Sequence, residues 1–293
     1  MPHIIANNIN IAYDLFATPS ASKKRPLILI RGLGSQRVEW PQVFIDYFAR
    51  TRDVVIFDNR DVGQSARFDV AGVPDLQALG KSLKAGESFA VPYGMADMAG
   101  DVIGLMDALD IEKADILGMS LGGIIVQHLA CDYAGRLGGA VCVMSLSGNR
   151  ALPAPAISHL MAPDVDDEAA LIDYLVQSYA EDEGSAFPCT PAQRRARAQA
   201  AVANGYSPQG MLRQLAASAV DGDRRPRLQK IAMPFLVIHG RDDKLIDPVC
   251  GEDIAANVRH AELMLVDGMG HDIPPNIENV LGPRVVDFLD AID

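Results

Sequence analysis

Along this chain, short runs of Ile, Val and Leu alternate with longer stretches in which apolar residues return every three to four positions. The runs Leu27 to Ile30, Val54 to Phe57, Asp115 to Leu117, Ala140 to Met144, Phe235 to Ile238 and Leu263 to Val266 are bounded by loop-forming residues. Short apolar runs of this kind predict strands buried on both faces of a largely parallel sheet. Between them, Met95, Met98, Val102, Leu105 and Leu109 keep helical spacing, as do Leu121, Ile124, Ile125 and Leu129, and Leu281, Val285, Leu289 and Ile292. This alternation predicts a doubly wound α/β fold, with Ile4-Ile5 and Ile9 to Ile11 flanking Asn7-Asn8 as an antiparallel hairpin at its edge.

Two segments interrupt the alternation. Arg60 to Tyr93 is too long for a plain connection, and Leu76, Leu79 and Leu83 after Pro74-Asp75 predict a short helix on the surface or beside a site. The second segment runs from residue 149 to 227 and signals helices only. Asp166 or Asp167 starts one helix, Thr190-Pro191-Ala192-Gln193 forms a capping box with Pro at the first helical position, and Ser207-Pro208 starts another. The expected organisation is therefore an α/β core of residues 1–148 and 228–293 with a helical cap of residues 149–227. Such a cap would lie over the C-terminal strand ends, where ligands bind in open α/β sheets.

With 293 residues, 49% hydrophobic and 22% charged, the chain can bury a substantial core. A formal net charge of -12 argues against nucleic-acid or anionic-membrane partners, which call for a basic surface. The first residues lack a basic n-region and a sustained apolar stretch, and no run reaches the roughly 18 residues that span a bilayer, so a cytoplasmic location is expected. Cys131, Cys142, Cys189 and Cys250 lie far apart without C-x-x-C pairing and are expected as free thiols.

One stretch names a chemistry. Gly118-Met119-Ser120-Leu121-Gly122 follows a strand-like run and opens a helical one, the setting of a nucleophile elbow in which a serine hydroxyl is exposed on a sharp turn. A serine needs a histidine base, and the base needs a carboxylate. Downstream, His239-Gly240-Arg241-Asp242-Asp243 comes after one predicted strand and Asp267-Gly268-Met269-Gly270-His271 after another. Both fall at the sheet edge that carries the elbow, in the order Ser, Asp, His. The backbone N–H of Leu121, next after the serine, is the first expected oxyanion donor.

On these motifs the chain resembles the α/β-hydrolases over nearly its whole length. The resemblance implies Asp243 as the acid, three residues after the glycine of the H-G-x-x-D turn, with Asp242 as the alternative, and His271 as the base. It also implies a second oxyanion donor in the loop Arg31-Gly32-Leu33-Gly34-Ser35-Gln36, for which the N–H of Leu33 is chosen; the usual His before Gly32 is Arg31 here. More narrowly, Asp58 to Ser65 and Val91-Pro92-Tyr93 resemble serine esterases of the aclacinomycin methylesterase-like branch. The expected activity is that of a carboxylesterase for small to medium alkyl or aryl esters, with Gly32, Met119, Trp40 and Met269 around the substrate pocket. No cofactor is expected, and a homodimer is a candidate assembly.

Other readings carry less chemistry. Gly32-Leu33-Gly34 starts like a dinucleotide fingerprint, but Arg37 stands where the third glycine is wanted. Asp164 to Ala169 lacks the offsets of a calcium loop, so no metal is implied. The acidic cluster Asp164, Asp166, Asp167, Glu168 and the trio Arg194, Arg195, Arg197 read as solvated helix faces. His239 reads as structural, His128 as facing along a helix, and His159 as a cap residue within reach of substrate.

Overall fold

The apolar runs assemble into an eight-stranded sheet in the computed structural model, which describes residues 2–19, 24–161 and 167–293. In chain order the strands are β1 (His3–Ala6), β2 (Ile9–Phe16), β3 (Leu27–Ile30), β4 (Val54–Phe57), β5 (Ala114–Met119), β6 (Leu137–Val143), β7 (Phe235–Gly240) and β8 (Glu262–Val266). Their spatial order is β1-β2-β4-β3-β5-β6-β7-β8. The β1–β2 and β2–β4 pairs are antiparallel, and every other pair is parallel. The expected hairpin thus sits at one edge of the expected parallel sheet.

Because side chains alternate across a strand, each central strand serves two cores. Ile28, Ile30, Val55, Ile116, Cys142 and Val237 face one side, where α3 (Met95–Ala108) and α4 (Leu121–Asp132) supply Met98, Val102, Leu105, Ile125 and Leu129. Leu27, Leu29, Val54, Leu117, Val143 and Leu236 face the other, against α1 (Gln42–Ala49) and α10 (Glu278–Asp290). Burial of each such Ile or Leu side chain stabilises the fold by about 1.5–3 kcal/mol. The predicted helix in the first long segment is α2 (Leu76–Ala85), a surface helix that buries Leu79 and packs beside α7 (Pro208–Val220).

Between β6 and β7 the described residues form helices only: a short 3-10 turn at Ile157–Leu160, then α5 (Glu168–Asp182), α6 (Pro191–Ala203), α7 and α8 (Arg225–Leu228). Asp167 caps α5, Thr190 and Gln193 form the expected box on α6, and Ser207 caps α7. Asp164 and Asp166 lie outside the described residues. Ile172, Leu175 and Tyr179 of α5 pack on Ala198 and Ala201 of α6 in a small core of their own. The remaining helices, α9 (Val249–Asn257) and α8, close the sheet face beside α4. No described helix is long and apolar enough to cross a membrane, and all four cysteines are free.

The helical segment is tied to the sheet by buried charge. Arg213 of α7 donates to both oxygens of Asp61 at 2.7 and 2.8 Å, and Tyr93 Oη donates to the same carboxylate at 2.6 Å. Gln214 accepts the Gly34 N–H at 2.9 Å and donates to the Arg60 carbonyl at 2.8 Å. Removing one partner of a buried pair strands the other charge. Arg213→Met is therefore expected to lower unfolding stability by about 3–5 kcal/mol in urea denaturation; a change below about 1 kcal/mol would show that the Asp61–Arg213 pair is not what holds α7 down.

Candidate active site

The turn after β5 places Ser120 at φ 55° and ψ −119°, a left-handed conformation that a non-glycine residue adopts only under constraint. The flanking glycines create that constraint by close approach. A Cβ on Gly118 would lie 2.2 Å from the Gly122 carbonyl oxygen, and one on Gly122 would lie 2.3 Å from that of Ile30. Helix α4 can therefore start hard against β3 and β5, with Ser120 at the top of the turn. The Ser120 N–H donates to the Val143 carbonyl at 2.8 Å, and the Ser145 hydroxyl donates to the Ser120 carbonyl at 2.8 Å, so the turn is fixed from β6 as well.

Strands β7 and β8 pair in parallel with Gly240 opposite Val266, which brings together the turns at their C-terminal ends. Asp243 Oδ2 lies 2.7 Å from His271 Nδ1, while Asp243 Oδ1 accepts the N–H groups of Leu245 and Ile246 at 2.9 and 2.8 Å. His239 Nε2 stands 3.1 Å from the same Oδ2 and 3.0 Å from the Ile246 carbonyl oxygen. Burial by itself would raise the Asp243 pKa, but the charge of His271 and the hydrogen bonds from His239 and His271 outweigh it and hold the carboxyl well below the usual range. Burial likewise disfavours a charged His271, yet Asp243 dominates, with Asp182 and Asp272 adding to it, and the His271 pKa is raised. With Asp243 ionised, Nδ1 carries the proton and Nε2 is left as a base. The alternative acid Asp242 points elsewhere, accepting the N–H and hydroxyl of Ser185.

Ser120 and His271 line one cavity of about 70 Å³ together with Arg31, Gly32, Leu33, Met119, Asp182 and Arg197, among others. The N–H groups of Leu33 and Leu121 meet no protein acceptor among the described residues. Gly32 approaches the serine closely, since a Cβ there would sit 3.1 Å from Ser120 Cβ. On its other side Ser120 opens into an apolar cavity of about 60 Å³ walled by Leu33, Leu121, Ile124, Pro155, Leu215 and Leu245. Ile124, Leu146, Pro155, Ile157, Leu215 and Ser218 also line a second, larger space of about 390 Å³ beside it.

Two expected pocket residues are placed differently. Trp40 stacks on Phe44 at 5.6 Å and carries the Arg31 guanidinium 4.8 Å above its ring. It lines a separate cavity of about 220 Å³ and does not border Ser120. Met269 is buried in the core on the α1 and α10 face. An apolar residue beside a loop can point to either side of it, and here the core takes both. Arg31 is buried with no hydrogen-bond partner for its three side-chain nitrogens among the described residues; its guanidinium lies over Trp40, and the residue also lines the Ser120 cavity.

The solvated-face reading fails for Arg197. It lies over Tyr179 at 3.9 Å, donates to Glu39 at 3.2 Å and to Asp272 at 2.8 Å, and lines the Ser120 cavity. Arg194 pairs with Glu183 and is mostly covered, while Arg195 with Asp173 remains on the surface. His128 pairs with Asp221, and His159 Nε2 lies 2.8 Å from Asp182. Sequence reasoning missed the contacts of His239, Arg197 and Asp182 at this site. Only His239 carried a signal, standing four residues before Asp243. Asp58 to Ser65 proves to be scaffolding: Asp58 binds Arg37, Arg60 binds Asp101, and Asp61 binds Arg213. Among the described residues no group of three or more His, Cys, Asp or Glu side chains is arranged to hold a metal ion.

The chain is similar to rhodomycin D methylesterase DauP of Streptomyces sp. (strain C5), with 26% identity over 285 residues and 89% of each chain covered. It is also similar to 2-hydroxy-6-oxononadienedioate/2-hydroxy-6-oxononatrienedioate hydrolase of Paraburkholderia xenovorans (strain LB400), with 29% identity over 195 residues, 64% of this chain and 65% of the relative. Among solved structures, the enol-lactonase from Burkholderia xenovorans LB400 superposes with a TM-score of 0.74 at 22% identity, covering 99% of this chain and 100% of that one. At that identity the likeness concerns the fold. A family model described as alpha/beta hydrolase fold matches residues 25–275. With the strand order, the elbow and the helical segment before β7, this match places the protein: it belongs to the α/β hydrolase fold family.

Proposed function

We propose that the protein is a serine carboxylesterase that works through an acyl-enzyme on Ser120. The observation that carries this reading is a strained serine that shares a cavity with a buried histidine whose Nδ1 is held 2.7 Å from a carboxylate. Ser120 Oγ attacks the ester carbonyl carbon as His271 Nε2 takes its proton, and Asp243 stabilises the imidazolium. The carbonyl oxygen becomes an oxyanion held by the N–H groups of Leu33 and Leu121. Collapse breaks the C–O bond to the leaving group, and His271 returns the proton to the departing alcohol. Water, deprotonated by His271, then releases the acid and restores Ser120. Residues 149–227 act as a cap over this chemistry.

The two cavities suggest which half of the ester lies where. His271 must reach the leaving oxygen, so the alcohol side belongs in the small cavity, lined by charged as well as apolar side chains, that His271 borders. The acyl group then takes the apolar space behind Leu121 and Ile124. That larger space, about 390 Å³, is several times the roughly 70 Å³ of the cavity that His271 lines. A small alcohol on a bulkier apolar acid is in keeping with the name of the methylesterase relative.

Matched esters test this orientation. Methyl octanoate should exceed octyl acetate in kcat/KM by about tenfold or more, as about 1.4 kcal/mol of differential fit requires. Equal or reversed preference would sink the assignment of the two sides. Leu215→Trp should depress octanoate turnover while sparing methyl acetate. A lactone and a C–C cleavage substrate in the same panel separate other reactions that a Ser-His-Asp site supports on this fold.

Ser120→Ala should lose about 10⁴-fold or more in kcat, and Asp243→Asn about 10⁴-fold. An organophosphonate should label Ser120 in an intact-mass spectrum. Turnover of the esters unchanged in Ser120→Ala would end the esterase reading. Since His271 must be neutral to act, kcat/KM should fall as pH drops through its raised pKa, with a midpoint above the ordinary 6.5; a midpoint below that value would mean that burial, and not Asp243, governs the histidine.

A further inference from the structure

The turn that carries His271 is held from two sides, by the β7 turn, whose Asp242 N–H donates to the Met269 carbonyl at 3.0 Å, and by the helical segment. The Asp182 carbonyl, at the last residue of α5, accepts the His271 N–H at 2.7 Å. The Ala186 N–H donates to the Gly268 carbonyl at 2.9 Å, and Ser185 donates to Asp242 through its N–H at 3.0 Å and its hydroxyl at 2.5 Å. Contact is so close that only glycine fits: a Cβ on Gly184 would lie 2.2 Å from the Gly268 carbonyl oxygen, and one on Gly270 would lie 2.2 Å from that of Asp182. Asp182 also lines the Ser120 cavity, and its Oδ1 lies 2.8 Å from His159 Nε2.

We propose that Asp182 is a positioning residue for His271, a second carboxylate brought to the base by the helical segment, with His159 as the counter-charge that sets how strongly it acts. The proposal rests on the reading of His271 as the base. Two features of the geometry support it. A helix C-terminus carries partial negative charge on its unpaired carbonyls; the end of α5 faces the His271 turn, and its Asp182 carboxylate shares a cavity with His271. His159 has an acceptor at each ring nitrogen, the Ala156 carbonyl 3.1 Å from Nδ1 and Asp182 at Nε2, and only the imidazolium donates to both. The hydrogen bond to Asp182 accordingly raises the His159 pKa, against the opposing effect of burial.

The other charges about His271 are Asp243 with His239 behind it, Asp272 held by Arg197 with Glu39, and the buried Arg31 near Arg197. Near His159 and Asp182 they are Glu181 and the Tyr174 hydroxyl, which donates to the His159 carbonyl. Both partners of the His159–Asp182 pair can be changed without removing a hydrogen bond to Asp243, Ser120 or the oxyanion donors.

The charge removed sets the sign of each shift. Asp182→Asn keeps the backbone carbonyl but takes away a negative charge that favours the imidazolium, so the acid limb of kcat/KM should move to lower pH by about half a unit. His159→Gln takes away the cation that offsets Asp182, so the limb should move to higher pH by a similar amount. In the double variant the His159 change should have little further effect, because the carboxylate it modulates is gone. Opposite shifts are not what general loosening of the cap would produce. A limb that stays in place in both single variants, or moves the same way in both, overturns the proposal. If activity in Asp182→Asn is too low to profile, the His271 ring titration measured by NMR in a Ser120→Ala background reads the same shift. Activity surviving in His271→Gln would remove the base reading itself, a result distinct from a limb that exists and does not move.

Discussion

A charged carboxylate buried beside an imidazole is the interaction on which the rest of this structure depends. Taking either group out of water costs several kcal/mol, so the pair persists only if its remaining hydrogen-bonding capacity is met. Asp243 meets that condition: one oxygen takes the Leu245 and Ile246 N–H groups, and the other takes His271 and His239. All of these groups come from β7 and the turn after it, except His271, which must arrive from the next strand. The parallel register of β7 and β8 is what delivers it. A slip of one residue would turn the supporting side chains to the opposite face.

The serine side obeys a different constraint. Ser120 is held in an unfavourable backbone conformation because α4 and β3 approach so closely that Gly118 and Gly122 have no room for a side chain. Strain of about 1–3 kcal/mol at such a residue persists only when its surroundings over-determine it. Here they do so through β6, which receives the Ser120 N–H, and through Ser145, which donates to its carbonyl. The two halves of the site are thus built from opposite resources, close packing at Ser120 and electrostatic compensation at Asp243 and His271.

The helical segment between β6 and β7 joins these halves. Arg213 fastens it to Asp61, and Arg197 spans Glu39 and Asp272. Arg224 reaches the Leu146 carbonyl through its side chain and the Ser147 carbonyl through its N–H. The segment therefore shapes the space around Ser120 as well as covering it. Its polar contributions, Asp182 and Arg197, fall on the His271 side, while Pro155, Ile157 and Leu215 fall on the apolar side. The asymmetry of the cavities arises from that packing.

Much of this was legible in the chain because it is local. Unbroken apolar runs can only be buried strands or helices, glycine at both flanks of Ser120 marks a tight approach, and the Ser, Asp, His order reflects where the strands end. The expectation of Asp243 over Asp242 came from the family resemblance; in the structure Asp243 stands 2.7 Å from His271 while Asp242 turns to Ser185. What the chain could not disclose depends on partners far off in sequence. Arg197 looks like one charge of a solvated helix until Glu39, 158 residues away, and Asp272, 75 residues away, are packed against it. Trp40 and Met269 stand next to site loops in sequence, yet both turn into the interior, since adjacency along the chain does not say which face a side chain takes. Periodicity and turn chemistry are short-range and are therefore written in the sequence; the desolvation and pairing of charges are set by how distant elements meet, and the fold alone settles them.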